Sequence, residues 1–399
     1  MEFDQLGRQF RLLTVHCVVS SLAISLAGSF VGAYLLRLGF SLPATIAMYA
    51  VLLGIRLTVR AALLPAIRLL GMRRALVAGR ILMALQFLAL IGADRPACLV
   101  LWVLIVSAGE CVYWPICHAA NAVGGGDGRR GWQIALRQIA STGISVAGPL
   151  AGGIILTRLG PEAEFCLATT LGLISAAPLF YMGRLDLGPV PTVRESLRVA
   201  DPVGLMAFAG DGFMSAGLGI AWPMILFSSL GSSYDALGWA SSVAAVAGAL
   251  AGLVCGMAID RGHRGRLVHG VTIALLASVV MRAAAGWAPG AAVAANAVGA
   301  AVGGAYYPVL MSMIYDRAKR SGSAYRFHLG AEAGWDCGAI LGCLSAAAVA
   351  WSGVPATLAV VPSVFGVLLI HRCVRSDCRP KAGQLVIGGA AVEAIGSAA

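Results

Sequence analysis

The chain has 399 residues, of which 59% are hydrophobic and only 12% charged, with a formal net charge of +11; its mean hydropathy is +0.85. Soluble domains carry about 25% charged residues, so this composition excludes a soluble globular enzyme, and about a dozen spans of roughly 20 apolar residues leave no length for a large soluble domain. The positive balance does not indicate nucleic acid, because the basic residues sit in short clusters between apolar runs without interleaved aromatics, as membrane topology requires.

The apolar runs predict twelve transmembrane helices in an all-α, polytopic membrane protein: about 12–35, 42–66, 75–92, 96–121, 132–157, 163–182, 203–229, 236–259, 267–287, 291–315, 327–351 and 355–373. The region 42–92 is the least regular, since Arg56, Arg60 and Arg68 interrupt it. Met1 to Arg11 is short and polar, and the run after it is too long for a cleaved signal, so it reads as a retained first helix. If span 1 starts inside, only Arg37, Arg95, Arg158 and Arg282 fall on the outer side, out of 29 Lys and Arg residues. That bias places both termini in the cytoplasm of an inner (plasma) membrane protein. Ten cysteines occur, none in a CxxC pair and most within apolar runs, which reads as small buried hydrophobes. The tail beyond Arg372 starts basic and turns small and bland, an expected disordered segment.

A weak internal repeat runs at an offset near 192. Trp114-Pro115 aligns with Tyr307-Pro308, Trp132 with Tyr325, and Leu38-Gly39 with Leu230-Gly231. Ordered matches at nearly one offset imply parallel six-helix halves, 1–183 and 203–373, joined by a cytoplasmic linker 184–202 and followed by a tail 374–399.

Span 11 contains HLGAEAGWDCGAILG, His328 to Gly342. Gly330, Gly334, Gly338 and Gly342 recur every fourth residue, and so do His328, Glu332 and Asp336, offset by two positions onto nearly the opposite side. The small face suits close helix packing, predicted at the boundary between the halves, and the acidic face suits protein or a water-filled path. His328, near the cytoplasmic end, reads as a solvated or interface group. The repeat-related stretch in span 5 has Ile139 and Gly143 where span 11 has its acids, so the titratable face belongs to the second half alone.

The loop after span 8, Gly256-Met257-Ala258-Ile259-Asp260-Arg261-Gly262-His263-Arg264-Gly265-Arg266, is similar to the GxxxDRxGRR loop of the major facilitator superfamily, and the resemblance covers all twelve spans. It implies that Asp260, Arg261 and Arg264 brace helix ends during the change between inward-open and outward-open forms. The first-half loop keeps Gly71, Arg73 and Arg74 but has Leu69 at the acid position. Span 5 carries Gly148-Pro149-Leu150-Ala151-Gly152-Gly153, which resembles the end of a signature of proton-coupled antiporters in that family. The family places spans 5 and 8 together, which makes Gly248 and Gly252 of span 8 expected packing partners. Its drug antiporters carry an arginine in span 4 where this chain has Glu110; Arg137, early in span 5, is a candidate partner for that acid.

No P-loop, HExxH or GxSxG occurs, and no cofactor, metal or enzymatic activity is expected. The informative set is the acids at membrane depth, Glu110, Asp211, Glu332 and Asp336, as candidates for proton coupling, each with an ordinary structural alternative as an ion-pair or hydrogen-bond partner. Tyr34, Trp114, Arg137, Trp222, Tyr307 and Trp335 are candidate solute contacts, several of them equally suited to the lipid interface. By the resemblance, spans 1, 4, 7 and 10 line a central cavity flanked by 2, 5, 8 and 11. The resulting expectation is a monomeric secondary transporter of the major facilitator type, exporting a small organic solute against protons within the bilayer and without nucleic acid. The alternatives are a proton-coupled metabolite importer and a non-transporting scaffold or sensor on the same fold.

Overall fold

The computed structural model describes residues 2–124, 131–261, 264–286 and 288–377, with side chains except those of 2–7, 10, 124, 131–142, 259, 260 and 264–266. The expected tail beyond 377 lies outside the described residues.

Twelve spans are present, and their interruptions follow the sequence. Span 1 is a helix, Glu2–Ala27, that tightens through the 3-10 turn Gly28–Phe30 and resumes as Val31–Arg37. Span 2, Leu42–Ala62, starts on a Ser41 cap with Pro43 in its first turn. The expected run 42–66 is divided, because Pro65 lacks a backbone donor and begins a separate short helix, Leu64–Leu70, that ends at Gly71 with φ +76°. Spans 3 to 6 are Met72–Ile91, Pro96–Gly124, Gly131–Arg158 and Gly160–Phe180. Span 7 runs Pro202–Ser215, widens into a π segment at Ala216–Ala221 just ahead of Pro223, and continues as Trp222–Ser229. A proline there removes one ladder hydrogen bond, and a π turn absorbs the loss. Spans 8 to 11 are Tyr234–Asp260, Arg264–Ala284, Pro289–Arg320 and Ala324–Trp351; span 12 opens with a 3-10 turn, Ala356–Val360, and continues as Ser363–Asp377. Eleven of the spans are long and apolar enough to cross a bilayer, and the described apolar part of span 5 is Gly143–Arg158.

Spans 1, 3, 4, 5 and 6 pack among themselves, as do 7, 9, 10, 11 and 12. The two groups meet through spans 2 and 11, 5 and 8, and 4 with 10 and 11. The end of the bundle where span 1 starts and span 12 finishes is called the base below. A connecting segment crosses the base, where Tyr325 N–H donates to Leu187 O at 3.0 Å and Arg73 reaches Met182 O at 2.8 Å. Within the connection, Val193–Ser196 forms one helical turn with a reciprocal Thr192 and Glu195 cap. The hydrogen bonds from Thr192 hold the Glu195 carboxyl below the usual carboxylate range.

The glycine faces pack differently from their expected roles. Gly334, Gly338 and Gly342 of span 11 lie on the carbonyls of Leu205, Ala209 and Phe213 in span 7, within the second group of spans and not at the boundary between groups. A Cβ added at Gly330 would meet nothing within 4 Å among the described residues. Gly248 and Gly252 of span 8 pack on Ala300 and Gly304 of span 10, not on span 5. Span 5 meets span 8 through Gly153 and Pro149 against Gly238, while Gly148 and Gly152 fit against Ser25 and Leu26 of span 1. Backbone-to-backbone approach of this kind replaces the hydrophobic drive that lipid cannot supply. A Cβ at Gly338 would fall on the Ala209 carbonyl oxygen, so Gly338→Val is expected to destabilise the purified protein by about 1–3 kcal/mol or more. Gly330→Ala should be neutral or stabilising by up to about 1 kcal/mol; thermal unfolding in detergent compares the two.

Candidate functional site

The face of span 11 opposite its glycines is the one that meets the other group of spans. Asp336 is fully buried and is held by two guanidiniums from span 2, Arg56 and Arg60, four residues and therefore about one turn apart. Arg56 also pairs with Glu110 of span 4, so one cation bridges an acid of its own group and an acid of the other. The Arg56 guanidinium stacks over Trp335 with its carbon 4.9 Å from the ring centroid. Glu110 is thus partnered by Arg56, and the expected partner Arg137 has its side chain outside the described residues.

One turn toward the base, Glu332 faces His118 of span 4, with Oε1 3.6 Å from Nε2. His118 Nδ1 lies 3.4 Å from the Tyr315 hydroxyl of span 10. His118 stacks between Trp114 and His328, with centroids 5.5 Å from each. Of the two alternatives expected for His328, a solvated or an interface group, the solvated one does not hold, because the approach of span 4 to span 11 buries it completely. Asp211 of span 7 accepts from Tyr306 Oη at 2.8 Å and from Trp335 Nε1 at 3.0 Å.

These groups border one cavity of about 460 Å³ between the two groups of spans. Glu110, Asp211, Glu332, Arg56 and His118 supply its polar wall, and Tyr49, Trp102, Trp114, Tyr307 and Trp335 much of its aromatic wall. Trp114 and Tyr307, the repeat-related aromatics ahead of Pro115 and Pro308, both line it. Asp336 does not, being sealed in its ion pairs. Two other expected contacts fall elsewhere. Tyr34 donates to Ile91 O at 3.0 Å and packs its edge on Phe165, within the first group. Trp222 donates to Asn296 at 3.0 Å and underlies Arg282.

In the loops, Arg73 binds the end of span 6, Arg74 and Arg261 are exposed, and the side chains of Asp260 and Arg264 lie outside the described residues. At the base of the second group, Arg317 joins Asp201 and Asp377, both at 2.7 Å. Sequence reading missed Arg56, Arg60 and His118 as site residues. Their spacing carried a signal: Arg56 and Arg60 repeat the four-residue step of Glu332 and Asp336, and Glu110, Trp114 and His118 share one face of span 4.

No family model matches the sequence, and no curated protein sequence is similar to it. Solved structures do match along nearly the whole chain. The chain is similar to a major facilitator superfamily transporter, FucP, in the outward conformation, at 13% identity over 93% of this chain and 99% of that one, with a TM-score of 0.67. The E. coli fucose:proton symporter FucP also matches in a second structure, at 12% identity over 94% of this chain and 100% of that one, with a TM-score of 0.64. The human organic anion transporter MFSD10 matches at 13% identity, covering 92% and 99% of the two chains, with a TM-score of 0.67. The nucleoside transporter NupG matches at 15% identity over 92% and 100%, with a TM-score of 0.62. The chain is a multi-pass membrane protein with the twelve-helix major facilitator fold.

Removing one member of a buried ion pair leaves an uncompensated charge and costs about 3–5 kcal/mol. Asp336→Asn is therefore expected to lower thermal stability strongly, and Asp336→Asn combined with Arg60→Gln to recover part of the loss. Equal stabilities of the single and double variants would contradict the pairing.

Proposed function

We propose that this chain is a secondary active transporter that moves a small organic solute through the central cavity by alternating access, coupled to protons. The observation that carries the reading is the cavity itself. It lies between the two groups of six spans, its volume falls in the range of about 300–1,000 Å³ usual for small-molecule sites, and its wall mixes aromatic faces with a few charged groups. Rocking of the groups about such a site is how this fold gives alternate access.

The ion pairs supply a coupling device. Arg56 and Arg60 are on one group and Asp336 on the other, so opening the base separates them. Arg56 keeps Glu110, which lies in its own group, whereas Asp336 loses both cations. A carboxylate unpaired in a low dielectric is costly, so a proton or a cationic solute compensates it when the base opens. The cavity wall shows the same imbalance, because of its acids Glu110, Asp211 and Glu332 only Glu110 is paired with a guanidinium, while Asp211 is held by Tyr306 and Trp335 and Glu332 faces His118.

Export of the solute from the cytoplasmic side of a cell inner membrane, in exchange for protons, is the direction we assign, with both termini cytoplasmic. The Gly148 to Gly153 stretch, which resembles the antiporter signature, supports it by seating span 5 against spans 1 and 8. Proton-linked import is the second reading, favoured by likeness to FucP, named a fucose:proton symporter.

Proteoliposomes with an imposed pH gradient, screened across sugars, nucleosides, organic anions and organic cations, test this. A solute is expected to move only with the gradient, and Glu332→Gln is expected to cut gradient-driven flux at least tenfold. Flux of a transported solute that ignores the gradient in wild type would exclude proton coupling, and absence of any flux across the panel would favour a non-transporting role.

A further inference from the structure

We propose that His118 is a proton relay between Glu332 and the base of the bundle, with His328 as the next station; this rests on the proton-coupled reading above. His118 presents its two ring nitrogens to two different partners on two different spans, Glu332 Oε1 at 3.6 Å and the Tyr315 hydroxyl at 3.4 Å. An imidazole so placed takes a proton on one nitrogen and releases the other from the opposite side, moving charge without moving the helix. The step balances with water as the final acceptor: a proton leaves the Glu332 carboxyl for Nε2, the proton on Nδ1 passes to the Tyr315 oxygen as that hydroxyl gives its own proton to water on the basal side, and rotation of the ring resets the tautomer.

A second observation extends the path beyond His118. On the basal side of the Asp336 ion pairs, three buried groups carry polar atoms that have no hydrogen-bond partner among the described residues: Nε and Nη1 of Arg60, the Tyr325 hydroxyl and both nitrogens of His328. Arg60 is 5% exposed, and Tyr325 and His328 are 0% exposed. Buried polar atoms without protein partners take up water, and several in one region define a hydrated route. His328 is on the same face of span 11 as Glu332, one turn nearer the base, and its ring is stacked on His118 at 5.5 Å.

The groups facing this pair come from every neighbouring element. Glu332 of span 11 and Tyr315 of span 10 meet His118 directly, and the charged groups beyond them are Asp336 of span 11, Arg56 and Arg60 of span 2, Glu110 of span 4 and Asp211 of span 7, which are engaged with one another or with Tyr306 and Trp335. The connecting segment over the base, tied at Leu187 to Tyr325, covers the route in this state, so the relay delivers its proton when the base opens.

The chain has six histidines, few enough to assign by single substitution. In nanodiscs with labelled histidine, the ring nitrogens of His118 are expected to change protonation between pH 4 and pH 9, and Glu332→Gln is expected to shift that transition by at least half a pH unit. A transition that Glu332→Gln leaves in place would overturn the relay. The functional arm uses liposomes loaded with a pH-reporting dye and any solute that moves with protons in wild type. His118→Asn is expected to lower the ratio of protons moved to solute moved at least tenfold. An unchanged ratio in His118→Asn would reject the relay even where proton coupling holds, whereas wild-type solute flux without proton movement would reject the coupling itself.

Discussion

The arrangement depends on a charge placed where charge is most expensive. Asp336 sits in the middle of an apolar helix, fully buried, and is stable there because two guanidiniums from span 2 converge on it. Those guanidiniums belong to the other group of spans, so the same contact that neutralises the acid holds the groups together near the base. Arg56 adds Glu110 and the face of Trp335 to this contact, so the interlock reaches the cavity wall. A buried ion pair of this kind contributes little net stability against an apolar substitute, yet breaking it from one side is costly. That asymmetry suits a two-position device better than a fastener.

Packing around the interlock separates rigidity from movement. Span 11 is seated on span 7 through Gly334, Gly338 and Gly342, with backbone carbonyls at the contact, and Gly212 of span 7 returns the contact on Trp335. Such an interface has no slack for a side chain to rearrange. Across the other face, the contacts to spans 2 and 4 are long polar and aromatic side chains that re-form over a change of distance. In the alternating access we propose, span 11 travels with its own group and exchanges partners with the other.

Much of the fold was legible because membrane spans announce themselves. Twelve apolar runs and the paired Trp114-Pro115 and Tyr307-Pro308 needed only length and order. The two-sided character of span 11 was legible too, but which side faced which neighbour was not. Periodicity gives the angle between the glycines and the acids and says nothing about the azimuth of the helix in the bundle. The small face was expected at the boundary between groups, where span 2 in fact presents two arginines. Arg56 and Arg60 interrupt an apolar run, and although their four-residue step marks one face, a single span does not say which acid, 276 and 280 residues away, they meet. His118 was hidden for the same reason: its partners Glu332, His328 and Tyr315 lie on spans 10 and 11.

The interlock is tested most directly by the distance between the two groups at the base. Spin labels at Leu69, exposed beyond span 2, and at Ser321, exposed between spans 10 and 11, report it in a background with the reactive cysteines replaced. Neutralising the buried acid in Asp336→Asn is expected to shift the distance distribution toward longer values than in the wild type, as the base loses the ion pairs that close it. Identical distributions in the two proteins would contradict the claim that Arg56, Arg60 and Asp336 hold the two groups of spans together.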